Sequence, residues 1–257
     1  MPAHDLALLT DAARAAGQIA LRFWRNNPQV WDKDDASPVS EADLAVNDML
    51  RARLCTARPS YGWLSEETPD DAARLDCEYV FIIDPIDGTR AFIAGEKHFS
   101  HSLAVARNGV VTAAVVYVPA LDRLYTATAD GPALLDGALI TTSTKALHDQ
   151  PNVLMSKATM APPHWIGTPP DLQRSFRASV AYRLALVADG SFDAMLSFRA
   201  SWEWDIAAGS LIAARAGAMV CDIQGAALRF NTETAQSNGI FAGSSALFAD
   251  LSPRINA

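Results

Sequence analysis

A short apolar run, Tyr79–Ile83, stops abruptly at an acidic dipeptide formed by Asp84 and Pro85. An uninterrupted apolar run of this length is typical of a buried strand. Proline fixes φ and has no N–H group for a sheet hydrogen bond, so we expect the strand to end here. The sequence therefore predicts a buried strand whose carboxyl end carries an acidic turn.

The stretch after this strand predicts a hairpin. β-branched residues are frequent between 102 and 125, and the dipeptide Asn108-Gly109 favours a tight hairpin turn. The same pattern of short apolar segments between turn residues recurs elsewhere in the chain. We expect further strands at 61–64, 102–106, 111–118, 123–126, 219–222 and 239–242.

Other segments carry the apolar spacing of helices. Leu9, Ala12 and Ala16 recur at intervals of three or four residues. Asp5 is placed to cap this N-terminal helix, and the sequence Ser40-Glu-Ala-Asp is close to a capping box. Helices are predicted at 5–25, after Ser40, at 89–92, 178–188 and 203–216, and from Ser244.

A β-rich first half followed by alternating helices and strands predicts a mixed α/β fold with layers around one core. Of the 257 residues, 50% are hydrophobic, which supports a sizeable core and excludes a chain that is disordered throughout. We expect an N-terminal α+β half, 1–145, and a C-terminal α/β half, 146–257, joined in one compact unit.

Several classes of protein are excluded by the composition. The longest uncharged run, 234–249, is shorter than the roughly 20 apolar residues of a membrane-spanning helix. The absence of a signal-peptide pattern and of any CxxC spacing among 3 cysteines predicts a soluble, cytoplasmic protein without a zinc site. A formal charge of −8 with scattered basic residues argues against a nucleic-acid polymer as partner. A small anionic ligand stays compatible if a bound cation reverses the local field.

Carboxylates are concentrated in three short segments, each at the end of a predicted strand or the start of a predicted helix. These segments are Leu64–Thr68, Asp84–Thr89 and Trp202–Asp205. In the second segment Asp84 and Asp87 are three residues apart on a tight turn, so both can point to one spot. Gly88 allows a close backbone approach, and the free N–H groups where the next helical turn begins form an anion site.

Two carboxylates beside an anion-binding turn would repel the anion unless a divalent cation lies between them. Oxygen-only ligands favour Mg²⁺ over Zn²⁺, so the pattern predicts a metal-bridged phosphate. Taken singly, each segment is equally compatible with a surface turn, a solvated loop or a helix cap. The joint occurrence of the three segments favours the metal site.

With these segments in place, the chain resembles the inositol monophosphatase superfamily of Mg²⁺-dependent, lithium-sensitive phosphomonoesterases. The resemblance spans nearly the whole chain and rests on four ordered motifs. They are Lys33 with Ser37–Asp43, then Ser65–Thr68, Asp84–Thr89 and Trp204–Gly209. The resemblance implies a layered αβαβα sandwich and a metal cluster whose acidic ligands lie mostly in the N-terminal half.

Two or three Mg²⁺ ions are implied by this resemblance. Glu66, Asp84 and the backbone carbonyl of Ile86 would hold the first ion. Asp84, Asp87 and Asp205 would hold the second. Asp43, together with Glu66, would support a weaker third ion or its water shell.

The resemblance also implies catalytic and substrate contacts. Thr89, together with Glu66 or Glu67, would orient and deprotonate the attacking water. Backbone N–H groups of Gly88 and Thr89 would hold the phosphate oxygens, and Lys33 is expected to contact the substrate.

The substrate is a small phosphorylated metabolite whose identity depends on finer features. Arg90 stands where inositol monophosphatases usually have the first residue of Thr-Asn-Phe, and a basic residue there resembles the CysQ-type 3′(2′),5′-bisphosphate nucleotidases. Their substrate is adenosine 3′,5′-bisphosphate, and Arg90 or Arg183 could bind its second phosphate by a bidentate contact. Phe198 replaces an acidic residue that binds a sugar hydroxyl in inositol monophosphatases, which disfavours inositol phosphate.

Other functions stay open on the sequence alone. Relatives act on inositol 1-phosphate, histidinol phosphate or fructose 1,6-bisphosphate, and a non-catalytic member would bind a phosphorylated ligand or a partner. Trp202 and Trp204 either line a base-binding region or pack in the core or rim. Relatives are often homodimers, and the apolar stretch 241–249 is either core or a dimer face. The segment 141–175 carries no motif and is able to border the pocket.

Overall fold

The computed structural model describes residues 2–33 and 37–256, which form six α-helices and sixteen strands. The helices are α1 (Pro2–Phe23), α2 (Glu41–Ala57), α3 (Thr89–Ile93), α4 (Val180–Ala188), α5 (Glu203–Arg215) and α6 (Ser245–Leu251). The strands of the first half are β1 (Val30–Asp32), β2 (Pro38–Ser40), β3 (Gly62–Ser65), β4 (Tyr79–Asp87), β5 (Ser100–Arg107), β6 (Val110–Val118), β7 (Arg123–Thr128), β8 (Leu134–Leu135) and β9 (Ala138–Leu139). Those of the second half are β10 (Asn152–Leu154), β11 (Gln173–Ser175), β12 (Ala194–Ser197), β13 (Ser201–Trp202), β14 (Met219–Cys221), β15 (Gln236–Ser237) and β16 (Ile240–Gly243).

A seven-stranded sheet in the order β3-β4-β5-β6-β7-β8-β9 contains the predicted buried strand. The apolar run lies in β4, where Val80–Ile83 are at most 1% exposed. The predicted hairpin is confirmed as β5 and β6. Its turn residues Asn108 and Gly109 both have positive φ, 48° and 80°, as a tight hairpin turn requires.

The expectation that β4 ends before Pro85 is wrong, because β4 continues to Asp87. Asp84 pairs with Ser102 and Asp87 pairs with Ser100, so the register shifts between the two pairs. Two residues of β4 therefore lie opposite one residue of β5, as in a β-bulge. A proline is tolerated at a bulge because no ladder hydrogen bond is required of its nitrogen.

Helices α1 and α2 pack together on one face of this sheet, where they enclose a first apolar core. The predicted N-terminal helix is confirmed, but it begins at Pro2, before the proposed cap Asp5. Asp5 lies within the first turn, and its buried carboxylate accepts a hydrogen bond of 3.0 Å from Arg58. Helix α2 begins directly after Ser40, as predicted.

Helices α4 and α5 cover the opposite face of the large sheet, and a second, five-stranded sheet lies beyond them. This sheet has the order β11-β10-β12-β16-β14 and mixes parallel with antiparallel pairs. Helix α6 packs against its outer face over a third apolar core. The layers therefore run helix, sheet, helix, sheet, helix, which confirms the expected αβαβα sandwich.

The core around α4 and α5 includes side chains from both halves of the chain, such as Leu64 and Leu154. The halves thus share one core, and a division at 145/146 stays a prediction. Within residues 2–33 and 37–256, no helix combines the length and the apolar character that crossing a bilayer requires.

Candidate active site

Three carboxylates from separate parts of the chain converge at one edge of the large sheet. Glu66 directly follows β3, Asp84 lies near the end of β4, and Asp205 lies in the first turn of α5. One carboxylate oxygen from each lies within 4.8 Å of those of the other two. The structure thus brings together one acid from each of the three predicted segments.

The fold explains this convergence. Strands β3 and β4 are parallel, with Ser65 opposite Ile83, so their carboxyl ends deliver Glu66 and Asp84 to the same edge. The start of α5 is tied to the neighbouring strand, because Ser102 Oγ donates a hydrogen bond of 2.8 Å to the Trp204 carbonyl.

Asp84 is the most constrained member of the site. Its side chain is 1% exposed, and Asp84 Oδ1 has no hydrogen-bond partner among the described residues. Burial raises the pKa of Asp84 well above its usual value, and the nearby carboxylates of Glu66 and Asp87 raise it further. A buried carboxylate oxygen without a donor costs free energy, and a cation in contact with this oxygen would offset that cost.

The same environment affects Asp205. Burial raises its pKa well above the usual value, and the charges of Asp87 and Glu66 add to the effect, although a hydrogen bond with Asp84 opposes it. Clustered carboxylate oxygens, one of them lacking a donor, are the ligands that Mg²⁺ prefers. The residues present therefore fit the metal that the sequence predicts.

Asp87 is held by the start of α4. Its Oδ2 accepts hydrogen bonds from Ser179 Oγ at 2.7 Å and from the Ala181 backbone N–H at 2.5 Å. Burial raises the pKa of Asp87 to about 6, while these hydrogen bonds oppose the rise. Ser179, which the sequence gave no reason to single out, is thus a positioning contact of the site.

Asp43 and Thr89 form a buried pair. Thr89 Oγ lies 3.1 Å from Asp43 Oδ1 and 3.1 Å from the Ile86 carbonyl oxygen. Asp43 Oδ2 accepts from the Ser40 backbone N–H at 2.9 Å and from Ser40 Oγ at 2.5 Å. Burial raises the pKa of Asp43 to about 6. The capping-box sequence at Ser40 indicates this placement of Asp43, and its support of a third ion stays a prediction.

Lys33 contacts both glutamates of the first acidic segment. Its Nζ lies 2.9 Å from Glu66 Oε1 and 2.7 Å from Glu67 Oε1. Burial and the neighbouring charge of Glu66 raise the pKa of Glu67 to about 7, although Lys33 lowers it. Lys33 thus lies beside the acidic cluster, and its contact with the substrate stays a prediction.

Gly88 occupies a position that other residues rarely adopt. Its φ is +98°, and a Cβ there would lie 3.3 Å from both the His98 carbonyl oxygen and the Ser179 nitrogen. Gly88 and Thr89 line a cavity of about 320 Å³ together with the three converging acids. The backbone approach that the sequence predicted therefore has a structural basis.

A second cavity of about 480 Å³ adjoins the first, and the two share Arg90 and Asp205 among their lining residues. Arg90, Arg183 and Arg199 line this second cavity. Arg90 and Arg199 are exposed, and in the described part of the chain neither guanidinium has a hydrogen-bond or ion-pair partner. Sequence reasoning did not single out Arg199.

Arg183 has a different setting from the other two arginines. It is 8% exposed and donates hydrogen bonds to the carbonyls of Arg177, at 2.5 Å, and Ala178, at 3.2 Å. Its guanidinium also lies 4.4 Å from the Phe176 ring centroid. Arg183 therefore supports the wall of the cavity as well as adding positive charge to it, and it does not lie on the helix surface.

Trp202 lies at the rim of the second cavity and contacts Trp204. Trp202 and Trp204 stack with ring centroids 4.6 Å apart and planes 10° apart. Trp202 lines the cavity and is 40% exposed, whereas Trp204 packs against the core. Phe198, which replaces the expected acidic residue, packs against Trp165 with ring centroids 5.4 Å apart. Phe198 is absent from the described lining of both cavities.

Comparison with known proteins places this geometry in context. The sequence profile of the inositol monophosphatase family matches residues 2–254. The chain is 37% identical over 237 residues to an inositol-1-monophosphatase of Rhizobium meliloti (strain 1021), with 86% of each protein covered. It is 29% identical to the 3′(2′),5′-bisphosphate nucleotidase CysQ of Escherichia coli (strain K12), with 85% of this chain and 90% of that protein covered. The crystal structure of the extragenic suppressor protein suhB from Bartonella henselae superposes with a TM-score of 0.83 at 27% identity and 97% coverage of both chains.

Proposed function

The chain belongs to the inositol monophosphatase family and is a phosphatase of small phosphorylated compounds, and from this premise we propose that it is a Mg²⁺-dependent enzyme whose preferred substrate is adenosine 3′,5′-bisphosphate. The assignment of this substrate rests on the arginine-lined cavity beside the acidic cluster. An acidic cluster alone serves any phosphomonoester, whereas a second cationic pocket serves a substrate with a second anionic group. Family membership favours catalysis over the alternative of a non-catalytic binding protein.

The metal ligands we propose are the carboxylates of Glu66, Asp84 and Asp205, joined by Asp87 and the Ile86 carbonyl. The unpartnered Oδ1 of buried Asp84 supports this assignment. When bound, Mg²⁺ would acidify an attacking water and offset the charge of the phosphoryl group.

Thr89 is proposed to orient the attacking water. A carboxylate and a carbonyl only accept hydrogen bonds, so Thr89 Oγ must direct its own proton to Asp43 Oδ1 or to the Ile86 oxygen. The lone pairs of Thr89 Oγ are then free to accept a hydrogen bond from water, which aligns the water oxygen for in-line attack. Asp43 is fixed in turn by Ser40, so the pair is rigid.

Glu66 or Glu67 is proposed to take the proton from the water. A pKa of about 7 for Glu67 suits a general base at neutral pH. The ammonium of Lys33 bridges both glutamates, so movement of Lys33 away from them changes which carboxylate is available. Backbone N–H groups of Gly88 and Thr89 are proposed to hold the phosphate oxygens, a role that the backbone conformation of Gly88 allows.

The arginines are proposed to select the leaving group. Arg90 and Arg199 are free to make bidentate contacts with the second phosphate, and Arg183 adds charge from a fixed position. The exposed ring of Trp202 is available for stacking on a base.

Inositol 1-phosphate is the second candidate substrate, because the Rhizobium meliloti relative, at 37% identity, is named an inositol-1-monophosphatase. A polyol needs polar side chains that bind hydroxyls, and Phe198 packs against Trp165 where an acidic residue was expected. This packing favours the nucleotide. The proposal also includes a cytoplasmic location and a homodimeric state. It further includes two or three bound Mg²⁺ ions.

The test uses a matched pair of substrates, adenosine 3′,5′-bisphosphate and adenosine 3′-monophosphate, with Mg²⁺. We expect Arg90→Gln and Arg199→Gln to raise the KM for the bisphosphate about tenfold, as loss of a charged contact does, with little change for the monophosphate. Arg229, another exposed arginine without a partner in the described residues, provides the control variant Arg229→Gln. Equal effects on both substrates would sink the assignment of a second-phosphate pocket.

A further inference from the structure

Three consecutive polar side chains are buried on β5, in the middle of a sheet. Ser100, His101 and Ser102 are all 0% exposed. They lie opposite the bulge in β4, since Asp87 pairs with Ser100 and Asp84 pairs with Ser102. His101 therefore lies opposite the two residues of the bulge, Pro85 and Ile86.

The imidazole of His101 closes this bulge. His101 Nδ1 is hydrogen-bonded to the Pro85 carbonyl oxygen. A carbonyl only accepts, so Nδ1 carries the proton and Nε2 is the unprotonated nitrogen. His101 Nε2 is buried and has no hydrogen-bond partner within the described residues.

The two neighbouring serines reach the other segments of the metal site. Ser100 Oγ lies 2.9 Å from Ser179 Oγ, which donates to Asp87 Oδ2 at 2.7 Å. Ser102 Oγ donates to the Trp204 carbonyl at 2.8 Å, one residue before Asp205. Together with His101, three successive residues of one strand thus contact β4, the residue before α4 and the first turn of α5.

Core packing alone does not explain this triplet. Burying a ring nitrogen without a partner costs free energy, and an apolar side chain in the same place would avoid that cost. Leu103 and Val105 lie on the same face of β5 as His101 and pack in the first apolar core, which shows that apolar residues suit this face. Local features that oppose stability are expected where function requires them.

We propose that His101 is a positioning residue of the metal site, which fixes the β4 bulge so that Asp84, the Ile86 carbonyl and Asp87 face one point. The inference rests on the proposed Mg²⁺ site, and it adds a residue that touches neither metal nor substrate. Hydrogen bonds that orient metal ligands typically change metal affinity by about 10–100-fold.

The experiment measures Mg²⁺ affinity by calorimetry, and melting temperature with EDTA or Mg²⁺, on the full chain. His101→Leu removes the donor to Pro85, and His101→Asn keeps an N–H donor near the position of Nδ1. Val105→Ala is the matched control, because it loosens the same core from the same strand without contact with the bulge.

We expect His101→Leu to weaken Mg²⁺ binding at least about tenfold and, at about 100 times the wild-type dissociation constant, to lose about half of the Mg²⁺-induced rise in melting temperature. The Mg²⁺ affinity of His101→Asn should stay within about threefold of wild type, because the asparagine keeps an N–H donor to Pro85. Val105→Ala should melt lower in both buffers and keep its Mg²⁺ affinity. Unchanged Mg²⁺ affinity in folded His101→Leu, or an equal loss in Val105→Ala, would overturn the proposal.

Three further results bear on the proposal. If His101→Leu does not fold, His101→Ala replaces it, because it also removes the donor to Pro85, and unchanged Mg²⁺ affinity in folded His101→Ala would overturn the proposal. If the wild-type protein binds no Mg²⁺, the proposed metal site fails and this inference fails with it. If it binds Mg²⁺ without releasing phosphate from any substrate, the role of His101 is still decided by the binding data.

Discussion

Replacement of Asp84 by asparagine should have opposite effects on stability with and without metal. The carboxylate oxygens of Glu66, Asp84 and Asp205 lie within 4.8 Å of one another. At this distance two charges repel each other by about 3 kcal/mol at an effective dielectric constant of about 20. Protonation of the site relieves part of this repulsion, so Asp84→Asn should stabilise the metal-free protein by about 2 kcal/mol, or raise its melting temperature by about 4–8 °C.

Saturating Mg²⁺ should reverse the order. At a concentration of about 100 times its dissociation constant, Mg²⁺ stabilises the wild type by about 2.7 kcal/mol. Asp84→Asn loses this gain, because the amide cannot replace the unpartnered carboxylate oxygen. The variant should therefore melt above the wild type in EDTA and below it in Mg²⁺.

Differential scanning fluorimetry in the two buffers measures this crossover. Asp130→Asn changes an exposed aspartate and serves as the control for the loss of one charge. A variant that melts below the wild type in EDTA, or one that keeps the wild-type response to Mg²⁺, would refute the reasoning.

Four further substitutions test other parts of the structure. Thr89→Val removes the hydroxyl that lies 3.1 Å from Asp43 Oδ1. It should lower kcat about 100-fold with KM nearly unchanged in steady-state assays, and an equal loss in Mg²⁺ affinity would contradict an orienting role. Gly88→Ala should lower both phosphatase activity and melting temperature, because its φ is +98° and a Cβ meets backbone at 3.3 Å. Arg58→Met removes the 3.0 Å partner of buried Asp5, which keeps a hydrogen bond of 3.3 Å from the Tyr61 hydroxyl, and should cost about 1–2 kcal/mol in urea unfolding. Burial raises the pKa of Asp193, but hydrogen bonds from Ser143, Asn152 and Lys145 lower it by more, so the pKa of Asp193 lies below its usual value. The stability that Asp193 contributes is therefore present above about pH 4 and lost at lower pH. The destabilisation caused by Asp193→Asn should shrink as unfolding is measured from pH 7 toward pH 3.

Local patterns were sufficient to predict most of the elements. The apolar run in β4, the Asn108-Gly109 turn and the capping sequence at Ser40 each act over a few neighbouring residues, and each element formed where they predict it. The path of β4 past Pro85 was missed, because a bulge depends on the partner strand that lies opposite.

The acidic ligands were predictable for a similar reason. Glu66, Asp84 and Asp205 each stand at the end of a strand or the start of a helix, and short motifs mark these positions. Contacts between distant residues were harder to foresee. Arg199 and His101 carry no motif, and their placement depends on which segments the finished fold brings together.

The central claim is that the acidic cluster and the adjoining arginine cavity act together on a doubly phosphorylated substrate. The most direct measurement is phosphate release by the purified protein from adenosine 3′,5′-bisphosphate and from inositol 1-phosphate, each with Mg²⁺ and with EDTA. We expect kcat/KM at least about tenfold higher for the bisphosphate, which is the value of one charged contact, and no release in EDTA. An equal or higher kcat/KM for inositol 1-phosphate, or release that persists in EDTA, would contradict the account.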